Sequence, residues 1–158
     1  MALAACTNPD RFGADGTAGG LGGAGGAVVP GSANDPTSPA YFNQTIGDRV
    51  LFAVDQSVIS DEGRVVLDGQ ATWLLTNTDF TAIIEGHADE QGTREYNVAL
   101  GARRANAVRE YLVSKGVAGN RLRTVSYGKE RPIEICSNEA CYAKNRRAVT
   151  VLAGGLPG

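Results

Sequence analysis

The stretch Ile84 to Leu112, IEGHADEQGTREYNVALGARRANAVREYL, reads as a strand that breaks into a polar loop and continues as a long helix. Ala82, Ile83 and Ile84 run into Glu85 and Gly86, a short β-rich segment cut off by glycine. His87 to Gly92 is dense in polar groups. Thr93 suits an N-cap, Glu95 places a carboxylate where the helix dipole favours it, and Gly116 can close the far end. Leu100, Val108, Tyr111 and Leu112, with Ala107 beside them, mark the stripe that should be buried. Arg103 and Glu110 face elsewhere, towards solvent.

Arg104 breaks that pattern. It lies four residues after Leu100 and four before Val108, so it points the same way as both. A guanidinium aimed at the core side costs free energy unless it is paired or opens onto a wet pocket. The nearest anions are Asp89 and Glu90, in the loop before the helix. Two readings follow: a structural Arg104–Asp89 salt bridge, or a small site at this junction sized for a zwitterion.

Strands alternate with helices on either side of this stretch. Arg49 to Val54 is expected as a first strand, ended by Asp55, Gln56 and Ser57. Ser60 caps a helix whose first turn holds Asp61 and Glu62 and whose apolar positions are Val66, Leu67, Ala71, Leu74 and Leu75. Trp73 falls at the edge of that stripe and is expected to be partly exposed. Leu122 to Ser126 and Arg147 to Leu152 are further strands, the latter after a short helix around Glu139 to Asn145. Ser38 and Pro39 can start a short helix over Ala40 to Gln44. The order β-α-β-α-β-(α)-β predicts an α/β (α+β) sandwich of two layers. Its mixed four-stranded sheet should have parallel neighbours, a last strand free to run antiparallel, and two long helices on one face.

The run from Gly86 to Leu112, followed by Val125-Ser126-Tyr127-Gly128-Lys129-Glu130 and then Asn145-Arg146-Arg147, resembles the OmpA-like peptidoglycan-binding domain family. More narrowly, it is similar to the lipoprotein branch of that family that works with the Tol system. The resemblance covers about Tyr41 to Leu152. It implies non-covalent binding of the diaminopimelate residue of the peptidoglycan stem peptide, and no turnover. In such domains an aspartate after the second strand takes the ligand's ammonium, and an arginine on the following helix takes its carboxylate. Asp89 and Arg104 stand at those positions. Asn97 matches a pocket-lining asparagine, and Phe52 and Asp55 match positions that flank the ligand. Gly92 and Thr93 shape the helix start, where free N–H groups can meet an anion. Each has a plainer alternative: Asn97 as a surface residue, Thr93 as only a cap, Phe52 as core. Arg146 and Arg147 are expected to fix the loop before the last strand.

The N-terminal quarter is of another kind. Met1 to Cys6 ends in Leu-Ala-Ala-Cys, which resembles a bacterial lipobox in which Cys6 would carry the lipid; a charged and apolar leader is missing from residues 1–6. Residues 7–39 are rich in glycine, alanine, proline, serine and threonine, and are expected to form a disordered linker. Such a coil spans roughly 30 Å on average and over about 100 Å when stretched. Residues 40–153 are then the folded domain and 154–158 a short tail.

Cys136 and Cys141 can close a disulfide if the turn between them brings the backbones together, which suits an oxidising compartment. Zinc is the rival reading, but His87 is the only histidine and is far off in sequence, so no metal site is expected. A net charge of −2 and a pI near 5.4 argue against nucleic acid. His87 and Asp89 could form a general-base dyad in a periplasmic hydrolase, but the sequence offers no nucleophile motif and no cofactor loop. The leading expectation is an outer-membrane-anchored periplasmic lipoprotein that grips peptidoglycan. The resemblance adds a periplasmic Tol partner competing for much the same surface and a role in envelope constriction at division. Flagellar-stator and porin-linked domains are alternatives within the family.

Overall fold

The computed structural model describes residues 28–135 and 137–154. Cys6, Cys136, most of the expected linker and residues 155–158 of the expected tail lie outside the described residues, while Gly154, expected to begin the tail, is the last residue of the final strand. Helix α1 (Pro39–Tyr41), capped by the Ser38 hydroxyl, continues as a wider π-type turn over Phe42–Gly47, past the expected end at Gln44. Then come β1 (Arg49–Leu51), α2 (Asp61–Thr76), β2 (Phe80–His87), α3 (Arg94–Ser114), β3 (Leu122–Gly128), α4 (Glu139–Asn145) and β4 (Arg147–Gly154). The caps read from sequence are in place. Ser60 accepts from the Gly63 amide, Thr93 from that of Tyr96, and Gly116 follows α3 at φ 109°.

The sheet order is β1-β4-β2-β3. β2 and β3 pair in parallel, and β4 runs antiparallel to both β1 and β2. The last strand therefore inserts at the centre, and β1 and β2 are not neighbours. Strand β4 is buried on both sides over Arg147–Thr150, as a central strand must be. One sheet face presents Val50, Ala82, Ile84, Leu122 and Ala148 to Leu67, Leu74, Val108 and Leu112 of the two long helices.

Helix α3 approaches the sheet so closely that only glycine fits at the crossing. A Cβ on Gly86 would lie 1.7 Å from the Gly101 carbonyl oxygen, and one on Gly101 would lie 2.4 Å from Ser126 Oγ. This contact seats the N-terminal half of α3, which carries Asn97 and Arg104, against the C-terminal end of β2, which leads to Asp89.

Four expectations need correction. Strand β1 ends at Leu51 rather than Val54, because the carbonyls of Phe52, Ala53 and Gln56 are taken by arginine side chains instead of a neighbouring strand. Trp73 is buried, with its indole N–H donating to the Pro36 carbonyl at 2.7 Å and its ring packed on Phe42 and Phe80. The segment expected to be tether thus acquires structure before residue 39. Ser38 is buried, its hydroxyl donates to the Ser32 and Asp35 carbonyls, and the Pro36 stretch covers α2. Leu75, expected on the apolar stripe, is exposed instead.

Candidate functional site

The junction of β1, β2 and α3 holds a cleft of about 280 Å³. Asp55, Asp89, Gly92, Asn97 and Arg104 line it, joined by Val54, Gln91, Tyr96 and Leu100. Five residues singled out in the sequence therefore meet in one place. Thr93 does not line the cleft; it is exposed and serves as the cap of α3. Phe52 is buried behind the cleft, with the Arg104 guanidinium 5.2 Å from its ring centroid.

Arg104 is fully buried. Its Nε donates to the Gln56 carbonyl at 2.8 Å, Nη1 to His87 at 2.9 Å and Nη2 to Ala53 at 3.1 Å. These bonds account for its place on the core-facing stripe, because it collects carbonyls from the loop after β1 and from the end of β2. Three of its five N–H groups are used in these bonds. Burial pushes its pKa down to about 10; Asp89 opposes that shift and Arg146 adds to it, and the group stays cationic at neutral pH.

The direct Arg104–Asp89 salt bridge is not formed. Asp89 pairs with Arg146, Nη1 to Oδ2 at 3.1 Å, and both side chains are almost fully buried. Its oxygens also accept from the Gln91 amide at 2.9 Å and the Gln91 side chain at 3.2 Å. Asn97 is buried, not a surface residue, and donates to the Gln91 carbonyl at 2.8 Å, which fixes the loop that carries Asp89. Gly92 turns that loop at φ 97°. Asp55 sits at φ 62°, in the left-handed region that aspartate tolerates better than most residues.

Arg146 is the residue that sequence reasoning misplaced. It was expected to hold only the loop before β4, yet it contacts Asp89, the Phe52 carbonyl at 3.0 Å and Glu139. Nothing in the local pattern indicates this, since 57 residues separate Arg146 from Asp89. Arg147 has the structural role expected, donating to the carbonyls of Asn145 and Arg131.

Residues 51–146 match the model of the OmpA family. The chain belongs to the OmpA family. It is 51% identical over 154 residues to the peptidoglycan-associated lipoprotein of Rhizobium meliloti, covering 98% of this chain and 83% of that one. To the protein of that name from Mesorhizobium japonicum it is 54% identical over 135 residues, covering 85% and 76%. The crystal structure of the peptidoglycan-associated lipoprotein from Burkholderia pseudomallei superposes with a TM-score of 0.68 at 38% identity, over 76% of this chain and 98% of that one. The C-terminal domain of Helicobacter pylori MotB shares the fold, with a TM-score of 0.63 at 22% identity over 67% and 84%.

Within this OmpA-family domain the His87–Asp89 dyad does not form, because the hydrogen bonds of Asp89 go to Gln91 and Arg146. His87 is 2% exposed, with Nε2 3.4 Å from Glu85 and its ring against Tyr127. Burial, then Arg147, Arg131 and Arg49, lower its pKa to about 4. Cys141 is disulfide-bonded, while its expected partner Cys136 is outside the described residues. No described helix is long and apolar enough to cross a membrane. Among the described residues no cluster of three or more His, Cys, Asp or Glu side chains is placed to hold a metal ion.

Proposed function

We propose that this domain binds peptidoglycan without covalent change, holding the diaminopimelate residue of a stem peptide in the cleft between Asp89 and Arg104. The observation that carries the reading is charge of both signs in one small cleft. Of the larger clefts, those of about 520 and 460 Å³ have no basic residue in their lining. One of about 350 Å³ is lined by Arg49 and Glu62, which are both exposed, whereas Asp89 and Arg104 are buried. Asp89 takes the ligand's ammonium, and Arg104 takes its carboxylate in charge-assisted hydrogen bonds. Asn97 and Gly92 hold the Asp89 loop, and Asp55 adds a second carboxylate at the rim. The names of the relatives support peptidoglycan as the target and a lipoprotein as the form. In this reading Cys6 carries a lipid in the outer membrane, the residues after it tether the domain on the periplasmic side, and a Tol-system protein competes for the same surface during envelope constriction at division. No observation favours the hydrolase reading.

Titration calorimetry of the full chain with a diaminopimelate-containing stem peptide tests the reading, beside Asp89→Asn and Arg104→Lys. Saturable binding without a product is expected, with each substitution losing about 2–5 kcal/mol. Wild-type binding that survives both substitutions returns the two residues to purely structural roles. Absence of wild-type binding sinks the reading itself.

A further inference from the structure

Asp89 is the buried carboxylate of the cleft, yet it is not free. The buried Arg146 guanidinium already lies 3.1 Å from its Oδ2. A carboxylate neutralised in this way draws a second cation weakly, and the two cations repel each other at close range. Nor can Arg146 swing aside. Its Nε is bonded to the Phe52 carbonyl at 3.0 Å, and its own carbonyl accepts from the Phe52 amide at 2.9 Å. Any relief must come from another anion on Arg146.

That anion is Glu139. It pairs with Nη2 of Arg146, and its other oxygen lies 3.4 Å from Nη1. Arg146 therefore bridges two carboxylates, one facing the cleft and one facing solvent. Burial alone would lower the pKa of Arg146, but its hydrogen bonds to Glu139 and Asp89 hold it above the ordinary guanidinium value. We propose that Glu139 is a positioning residue for the ligand's cation: it takes over the charge of Arg146, so that Asp89 can turn its own charge to an ammonium entering the cleft. The inference rests on the function proposed above and names a determinant of its specificity. Glu139 touches no ligand. As the first residue of α4, after the Asn138 cap, it is placed by a short helix separate from every element that lines the cleft.

The test is calorimetric titration of the wild-type chain and Glu139→Gln with two ligands. One is the diaminopimelate-containing stem peptide, the other the same peptide with 2-aminopimelate in that place, which lacks the free ammonium. Because the Glu139 side chain is 65% exposed, solvent screening limits its effect. Glu139→Gln should weaken the first ligand about threefold to fivefold and leave the second as in wild type. Equal weakening of both ligands, or none of either, overturns the role of Glu139. If the wild-type chain binds neither ligand, the proposed function fails as well. If Asp89→Asn abolishes binding while Glu139→Gln is silent, only the present inference fails.

Discussion

His87 makes the stability of this domain depend on pH in a window that can be worked out. Its imidazole is buried beside Arg147, Arg131 and Arg49, and its Nδ1 has no hydrogen-bond partner among the described residues. Glu85 pulls the other way, but its contact is long, at 3.4 Å, and partly open to water. Lowering the pKa from 6.5 to about 4 makes protonation in the fold costlier by about 3 kcal/mol. As pH falls through 6.5 the unfolded chain takes up the proton, whereas the folded chain resists until about 4. Between those values the unfolded state holds more protons, so stability falls as pH falls. At about pH 5 the loss from this group alone is about 2 kcal/mol, and at about pH 7.5 it is near zero. Urea denaturation of wild type and His87→Gln at both pH values isolates the effect, because the carboxylates titrate alike in the two proteins. The stability gap between them should shift by about 2 kcal/mol in favour of the variant on going from the higher to the lower pH. A gap that stays flat would refute the reasoning and show that Glu85 meets the charge of a protonated His87 within the fold.

Two further substitutions probe the architecture that supports the cleft. Gly101→Ala puts a methyl group 2.4 Å from Ser126 Oγ and 2.8 Å from the Gly86 carbonyl oxygen. It should cost about 1–3 kcal/mol in urea denaturation, and an unchanged midpoint would mean that α3 can shift away from the sheet freely. Trp73→Phe keeps an aromatic ring but removes the 2.7 Å bond to Pro36. It should cost about 1 kcal/mol and speed proteolysis ahead of Ser38, whereas unchanged cleavage would show that the segment is held by other contacts.

The strand–loop–helix at the centre of this chain was legible mainly through its helix, whose start and period have local causes. Thr93 caps α3 and a 3.6-residue period runs through Leu100, Val108 and Leu112, whereas Gly86, expected to cut the strand off, lies inside β2, which runs on to His87. Arg104 stood out for the same reason, as a charge on an apolar period. Other features depend on partners that the local pattern does not contain. Val50 to Val54 has strand composition, but the carbonyls beyond Leu51 go to arginines far along the chain. Trp73 looked like an edge residue because the residues that cover it come from a segment with the composition of a linker. The central position of β4 has a local signal in its uncharged Ala148-Val149-Thr150 run, which suits a strand buried on both faces.

The two buried arginines also limit how the site can be tested. Arg104 joins the Ala53–Gln56 turn to the end of β2, and Arg146 joins Phe52 to Asp89 and α4. The same guanidinium groups therefore set the shape of the cleft and supply its charge. Deleting either one leaves buried carbonyls or an unpaired carboxylate, so lost binding after Arg104→Ala would not distinguish a missing ligand contact from a collapsed loop. Discrimination has to come from changes that keep the braces and alter only the charge balance. Glu139→Gln at the outer end of Arg146, read against a ligand with and without its ammonium, is such a change. It leaves the bonds of Arg146 to Phe52 and Asp89 in place, so a selective loss on the ammonium ligand reports recognition of charge rather than the state of the fold.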